Sequence, residues 1–297
     1  METTRIPSSV VAALAVSVFA YASSSILVRL AGDAAPSVSL VTMRSAMAVV
    51  LLAPVCFGPF VRERTRLSAR GWMALVGAGA LLALHFVLWF ESLRHTSVAS
   101  STVLVTTTPL WLGAYAMLRG QPPGRLLLAA LLFGVGGAAL LGWADGRGAV
   151  PGAHPLLGNA LALGAAVTIA AYLLIGQRLR QRLSWGAYVL PLFACVALFS
   201  GAYAVLRGAP LVGLSAETYA VCLAMAVGPQ IAGHGAVNYA VRFVSPLMLG
   251  LLSLLEPIGA SLIAYLLWKE APPALGLAGM ALTLVGIGLA MTAQRRT

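Results

Sequence analysis

A single carboxylate, Glu256, stands in the otherwise apolar run "LLSLLEPIGASL" at residues 251–262, and Pro257 follows it directly. Placing a charged side chain in hydrocarbon costs at least about 2.5–3.5 kcal/mol on insertion scales, so something nearby must offset it. Glu256 lies roughly twelve residues into its segment, which at about 1.5 Å per residue is close to a bilayer midplane. Pro257 removes a backbone N–H and disfavours helical geometry at the residue before it. Freed carbonyls and a hinge are therefore expected beside the carboxylate. Gly259, Ala260 and Ser261 keep the next turn narrow, which allows another helix or a ligand to approach closely. Two roles fit these surroundings. Glu256 is a proton or substrate-ammonium site, or it is a structural residue, neutral or paired with Arg44, that locks two helices together.

Arg44 sits about two turns inside another apolar segment. Its long stem allows it to snorkel to the surface, and its planar fork suits a substrate carboxylate. His85 and Trp89 are four residues apart, as are His234 and Asn238, so each pair shares a helix face. Trp89, Trp111, Tyr115, Tyr172 and Tyr265 either wall a cavity or serve as packing and interface anchors. Glu91, Arg94, His95, Lys269 and Glu270 fall near segment ends and read as interfacial charges. Cys56, Cys195 and Cys222 lie in apolar segments without metal-ligand spacing, so they read as small buried hydrophobes and no metal is expected.

The elements that must hold these groups follow from composition. The chain of 297 residues is 60% hydrophobic and 9% charged, whereas a water-soluble domain carries about 25% charged residues. Membrane helices need about 20 mainly apolar residues each. Ten such segments are expected, at 8–31, 37–60, 71–94, 97–118, 124–143, 155–176, 185–206, 216–241, 245–268 and 273–293. They use nearly the whole chain, so a single transmembrane domain over 1–297 is expected. The first segment is too long for a signal-peptide core and nine others follow it, so it reads as a retained helix.

The net charge of +11 has a topological explanation that needs no nucleic acid. Arg5, Arg62, Arg64, Arg66, Arg70, Arg119, Arg125, Arg178, Arg180, Arg182, Arg242, Arg295 and Arg296 occupy the termini and every second loop. The opposite side has only Arg29, Arg94, Arg147, Arg207 and Lys269. The positive-inside rule then places both termini in the cytoplasm, with the basic excess facing anionic lipid.

The chain is written twice. "HFVLWFESLRHTSVASSTVLVTTTPLW" begins at His85 and "HGAVNYAVRFVSPLMLGLLSLLEPIG" begins at His234, which aligns Ser97 with Ser245 and Pro109 with Pro257. After each proline come the rest of a helix, a Pro-Pro pair (Pro122 and Pro123; Pro272 and Pro273) and a Gly-rich helix. The first repeat covers about 8–143, a polar Gly/Pro-rich linker about 144–154, and the second repeat about 155–293. Five helices per half is an odd number, so the second half enters the membrane from the opposite side. This inverted-topology repeat is the arrangement many secondary transporters use for alternating access. Pro109 and Pro257, at matching positions, are the expected hinges, with Thr106, Thr107 and Thr108 able to return hydroxyl hydrogen bonds to the backbone.

The order of "APSVSLVTMR" entering the second segment, "AAVTIAAYLLIGQRL" opening the second half, the "EP" of the ninth segment and "WKE" at its end resembles a known family. It is the EamA-type branch of the drug/metabolite transporter superfamily, and the likeness covers essentially the whole chain. The sequence departs from that pattern with Thr108 opposite Glu256 in the repeat, and with Tyr21-Ala22 where Trp-Gly is common.

The resemblance implies an all-α membrane protein that exports amino acids or similar compounds. Aromatic amino acids are the first choice, given the aromatic set above. Exporters of drugs or of other metabolites such as nucleosides are the alternative, and a membrane receptor or assembly subunit without transport is a further one. The expected substrate cavity comprises Glu256, His85, Trp89, His234, Asn238, Trp111, Tyr172 and Arg44. The expected partners are a small-molecule substrate, the lipid of a bacterial-type inner membrane, and protons. No cofactor is expected. No P-loop is present to couple ATP. An enzyme is not expected either: Asp33 and Asp145 lie in loops, no HExxH occurs, and "GLSAE" at 213–217 is outside the apolar segments.

Overall fold

The computed structural model describes residues 6–32, 34–146, 154–269 and 273–294. Arg5, Asp33, Arg147, Glu270, Pro272, Arg295, Arg296 and most of the linker lie outside the described residues, as do the side chains of Arg29 and Asp145. The described residues are almost wholly helical. In chain order the helices are α1 (Ser8–Ala31), α2 (Ser37–Glu63), α3 (Ala69–His95), α4 (Val98–Val105), α5 (Thr108–Leu118), α6 (Arg125–Gly146) and α7 (Pro155–Arg180). Then follow α8 (Trp185–Leu206), α9 (Ala216–Met225), a π-helical stretch (Ala226–Gly235), α10 (Ala236–Ala240), α11 (Pro246–Ser253), α12 (Leu255–Trp268) and α13 (Ala274–Gln294).

Nine stretches of the described residues are long and apolar enough to cross a membrane. The remaining expected span, 97–118, is divided into α4 and α5, so neither piece qualifies alone. Serine hydroxyls start the divided helices of both halves. Ser97 accepts from the Ser100 N–H and Ser245 from the Met248 N–H, so residues aligned in the repeat cap equivalent helices.

Both expected breaks are present, each a few residues before its proline. Pro109 is the second residue of α5, and its ring is incompatible with the turn before it. The backbone there is held by hydroxyls: Thr106 donates to the Thr102 and Val103 carbonyls, Thr107 to Leu104, and Thr108 to Val105. In the second half the chain breaks at Leu254, three residues before Pro257. Ser253 there donates to the Gly250 carbonyl at 2.7 Å. The eighth span differs from expectation. Instead of one regular helix it widens into the π-helical stretch around Pro229, which cannot donate into an α ladder.

The packing carries the symmetry of the repeat. The last helices of the halves, α6 and α13, pack on each other, and so do the second helices, α2 and α8. The contact of α3 with α7 in one direction is matched by that of α1 with the π-helical stretch in the other. The broken spans meet where α5 touches α11. The α6–α13 seam is glycine-lined: a Cβ on Gly137 would come within 2.5 Å of the Thr283 nitrogen, and one on Gly279 within 2.6 Å of the Leu141 nitrogen. Helices in lipid gain contact through such small residues.

One basic residue counted above as a loop charge is instead internal. Arg180 is buried, donating from Nε to the Asn238 carbonyl at 2.7 Å and from Nη1 to the Leu183 carbonyl. Its position at the end of α7 brings it under the joint to α8, where free carbonyls need donors.

Candidate functional site

The two broken spans converge on an internal cavity. Thr106 and Thr108 reach it from the α4–α5 joint, and Ser253 and Glu256 from the α11–α12 joint. Tyr21 and Ser24 of α1, His85 and Trp89 of α3, and His234 of the π-helical stretch complete its polar and aromatic lining, with Val105 and Ile169 between them. The cavity leaves about 50 Å³ for the centres of water-sized occupants, room for a few waters. Glu256, half-buried, brings the one carboxyl group among these lining side chains.

The aromatic side chains form a connected group. His85 and Trp89 stack with their ring centres 6.5 Å apart and their planes 13° from parallel, which is the geometry their four-residue spacing allows. His85 donates from Nδ1 to the Ala165 carbonyl at 2.9 Å, which leaves Nε2 as an acceptor in the neutral ring. His234 lies 6.3 Å from His85 and 4.8 Å from Phe86 between ring centres, and its Nδ1 is 3.1 Å from the Tyr21 hydroxyl. The helices that carry Tyr21 and His234 touch because Gly233 has no side chain; a Cβ there would lie 2.8 Å from Tyr21 Cε1. Gly259 acts in the same way beside Glu256, since its Cβ would come 2.6 Å from Ala22 Cβ.

The structure brings four of the sequence-derived site residues together: Glu256, His85, Trp89 and His234 all line the cavity. It places the other four elsewhere. Asn238 and Tyr172 are buried and bonded to each other, Tyr172 hydroxyl to Asn238 Oδ1 at 2.5 Å. His234, near the end of the π-helical stretch, lines the cavity, whereas Asn238, on α10, does not. Trp111 is 41% exposed on the outer side of α5. Tyr265 is likewise exposed, beside Lys269, and Tyr115 accepts from Arg178.

Arg44 neither snorkels nor pairs with Glu256. It is completely buried, and both Nε and Nη2 donate to Gln230 Oε1, at 2.8 and 2.6 Å. Phe86 and Phe90 flank its guanidinium, 4.2 and 5.5 Å away.

Sequence reasoning missed Gln230, Ser24 and Ser253, and treated Tyr21 only as a departure from a pattern. A signal existed for Gln230: it is the one amide within "AVGPQIAGHG", an apolar stretch already marked by His234. Serine is common enough in membrane helices that Ser24 and Ser253 carried none. Among the described residues no three His, Cys, Asp or Glu side chains are grouped to hold a metal ion.

The EamA-like transporter family model matches residues 8–143 and 156–292, one match for each half. The chain belongs to the EamA-like transporter family. The two matches account for the division of the chain into two repeats. A solved crystal structure of another protein agrees with this fold. It superposes with a TM-score of 0.80 over 98% of this chain and 99% of that one, at 18% sequence identity. No curated protein matches the chain. Membership in the family makes this a multi-pass membrane protein of a transporter class, consistent with a permease role.

Proposed function

We propose that the protein is a secondary transporter that moves small amphipathic metabolites across the inner membrane by alternating access. Amino acids are the leading substrates and aromatic ones the first choice, with export as the direction. One observation carries this reading: Glu256, the two histidines, Tyr21 and Trp89 line a single cavity at the joint of two broken helices, one from each repeat. The carboxylate suits an ammonium group or a proton, and the rings suit an apolar side chain.

The cavity has room for a few waters only, so a larger solute needs the lining helices to separate. The breaks supply places for that motion. Basic residues such as Arg62, Arg64, Arg66, Arg178 and Arg182 support cytoplasmic termini, and protons are the proposed coupling ion. The test is counterflow of labelled aromatic amino acids in proteoliposomes, competed by other amino acids, nucleosides and cationic drugs. Competition by nucleosides or drugs alone would move the assignment to the second class of substrate. Absence of any solute flux from active vesicles would leave a receptor or assembly subunit.

A further inference from the structure

The charge on Arg44 lacks a matching anion. Its guanidinium is 0% exposed and lies in a span, and its acceptor is the neutral amide oxygen of Gln230. Among the described residues no carboxylate reaches it within ion-pair distance. A buried charge without a counter-charge is strongly destabilising, and proteins normally pair it. Two further donors are buried with no acceptor, Arg44 Nη1 and Gln230 Nε2. They belong to side chains already in contact, one a planar fork and the other an amide. Each of these donors suits a carboxylate oxygen.

We propose that Arg44 and Gln230 form the carboxylate-binding end of the substrate site, with Glu256 at the ammonium end. This rests on the transport reading and narrows its substrate class to zwitterionic amino acids with apolar side chains. The two ends are linked through two rings. His234, four residues after Gln230 on the π-helical stretch, lines the cavity and meets the Phe86 ring at 4.8 Å. The same ring carries the Arg44 guanidinium at 4.2 Å. His234 and, behind it, Phe86 therefore stand between the cavity and the guanidinium, and displacement of the two rings admits the carboxylate. Amines, nucleosides and neutral drugs have nothing to satisfy Arg44 and gain nothing from that opening.

The experiment compares thermal shifts of the purified protein with phenylalanine, phenylalaninamide, phenethylamine and sodium acetate at equal ionic strength. Phenylalanine is expected to stabilise at a concentration at least about ten-fold lower than either analogue without a carboxylate, as loss of one partner of a buried charge pair implies. Gln230→Glu supplies the missing anion from within the chain. It is expected to raise the melting temperature without ligand and to abolish the phenylalanine shift and phenylalanine flux together. A purely structural Arg44 predicts the first effect without the second, so a stabilised Gln230→Glu protein that still binds phenylalanine overturns the proposal. Equal response to phenylalanine and its amide overturns it too, while leaving transport intact. Acetate acting as strongly as phenylalanine would show a general anion site rather than a substrate one. No shift with any compound, together with no flux, overturns this proposal and the transport reading at once.

Discussion

Tyr21 and His234 are separated by 213 residues, yet the Tyr21 hydroxyl lies 3.1 Å from His234 Nδ1 and their ring centres are 4.8 Å apart. The contact joins the first span of one repeat to the third span of the other, at the wall of the cavity. Tyr21→Phe keeps the ring and removes the hydrogen bond. The expected loss is about 0.5–1.5 kcal/mol of stability, seen as a small fall in melting temperature, with a several-fold fall in counterflow. A wild-type transport rate in this variant would show that the contact is packing alone.

Glu256 supplies the one carboxyl in the cavity lining among the described residues. Glu256→Gln keeps its shape and removes its capacity to ionise. We expect the variant to fold, to lose the response of flux to an imposed pH gradient, and to need a higher substrate concentration for counterflow without a gradient. Flux measured with and without the gradient in matched vesicles decides the matter. An unchanged gradient response would remove Glu256 from coupling.

Pro109→Ala and Pro257→Ala restore backbone N–H groups beside the two breaks. Each is expected to straighten its span and slow exchange in vesicles more than it weakens substrate affinity by calorimetry. The Pro109 variant should be the milder, because the threonine hydroxyls at 106–108 continue to bond the turn before it. Full transport rates in both variants would place the moving parts elsewhere.

The glycine seam is a test of packing with an internal control. Gly137→Val puts side-chain atoms into the α13 backbone, whereas Gly288→Val enters open space. The first should cost about 1–3 kcal/mol or prevent folding, and the second should leave the melting temperature nearly unchanged. Both follow from thermal melts of the detergent-solubilised protein.

Two tryptophans separate the cavity from the outer surface. Trp89 is buried against His85, and Trp111 is 41% exposed. Trp89→Ala should strongly reduce counterflow, and Trp111→Ala should leave it close to wild type. The opposite order would relocate the substrate path to the α5 surface.

Hydrophobic periodicity and the duplicated pattern made the number of spans, the two halves and their inverted relation legible from residues alone. This works because hydrocarbon forces every backbone polar group into a helix, so long apolar runs have few alternative structures. Both proline breaks were also legible, since the clash of a proline ring with its preceding turn is a local effect. His85 with Trp89 could be placed on one face for the same reason: a regular helix relates residues four apart.

Local rules stopped at the eighth span. The π-helical stretch alters the helical register over Ala226–Gly235, and beyond it Asn238 accepts from Tyr172 while His234 lines the cavity. The partner of Arg44 was equally hidden, because Gln230 lies 186 residues away and only helix packing brings it within 2.6 Å. Composition fixes that a charged side chain in a membrane span must be satisfied; which group satisfies it depends on where two helices cross. For Arg44 that crossing of α2 with the π-helical stretch selected a neutral amide and the face of Phe86, and left Glu256 to the cavity.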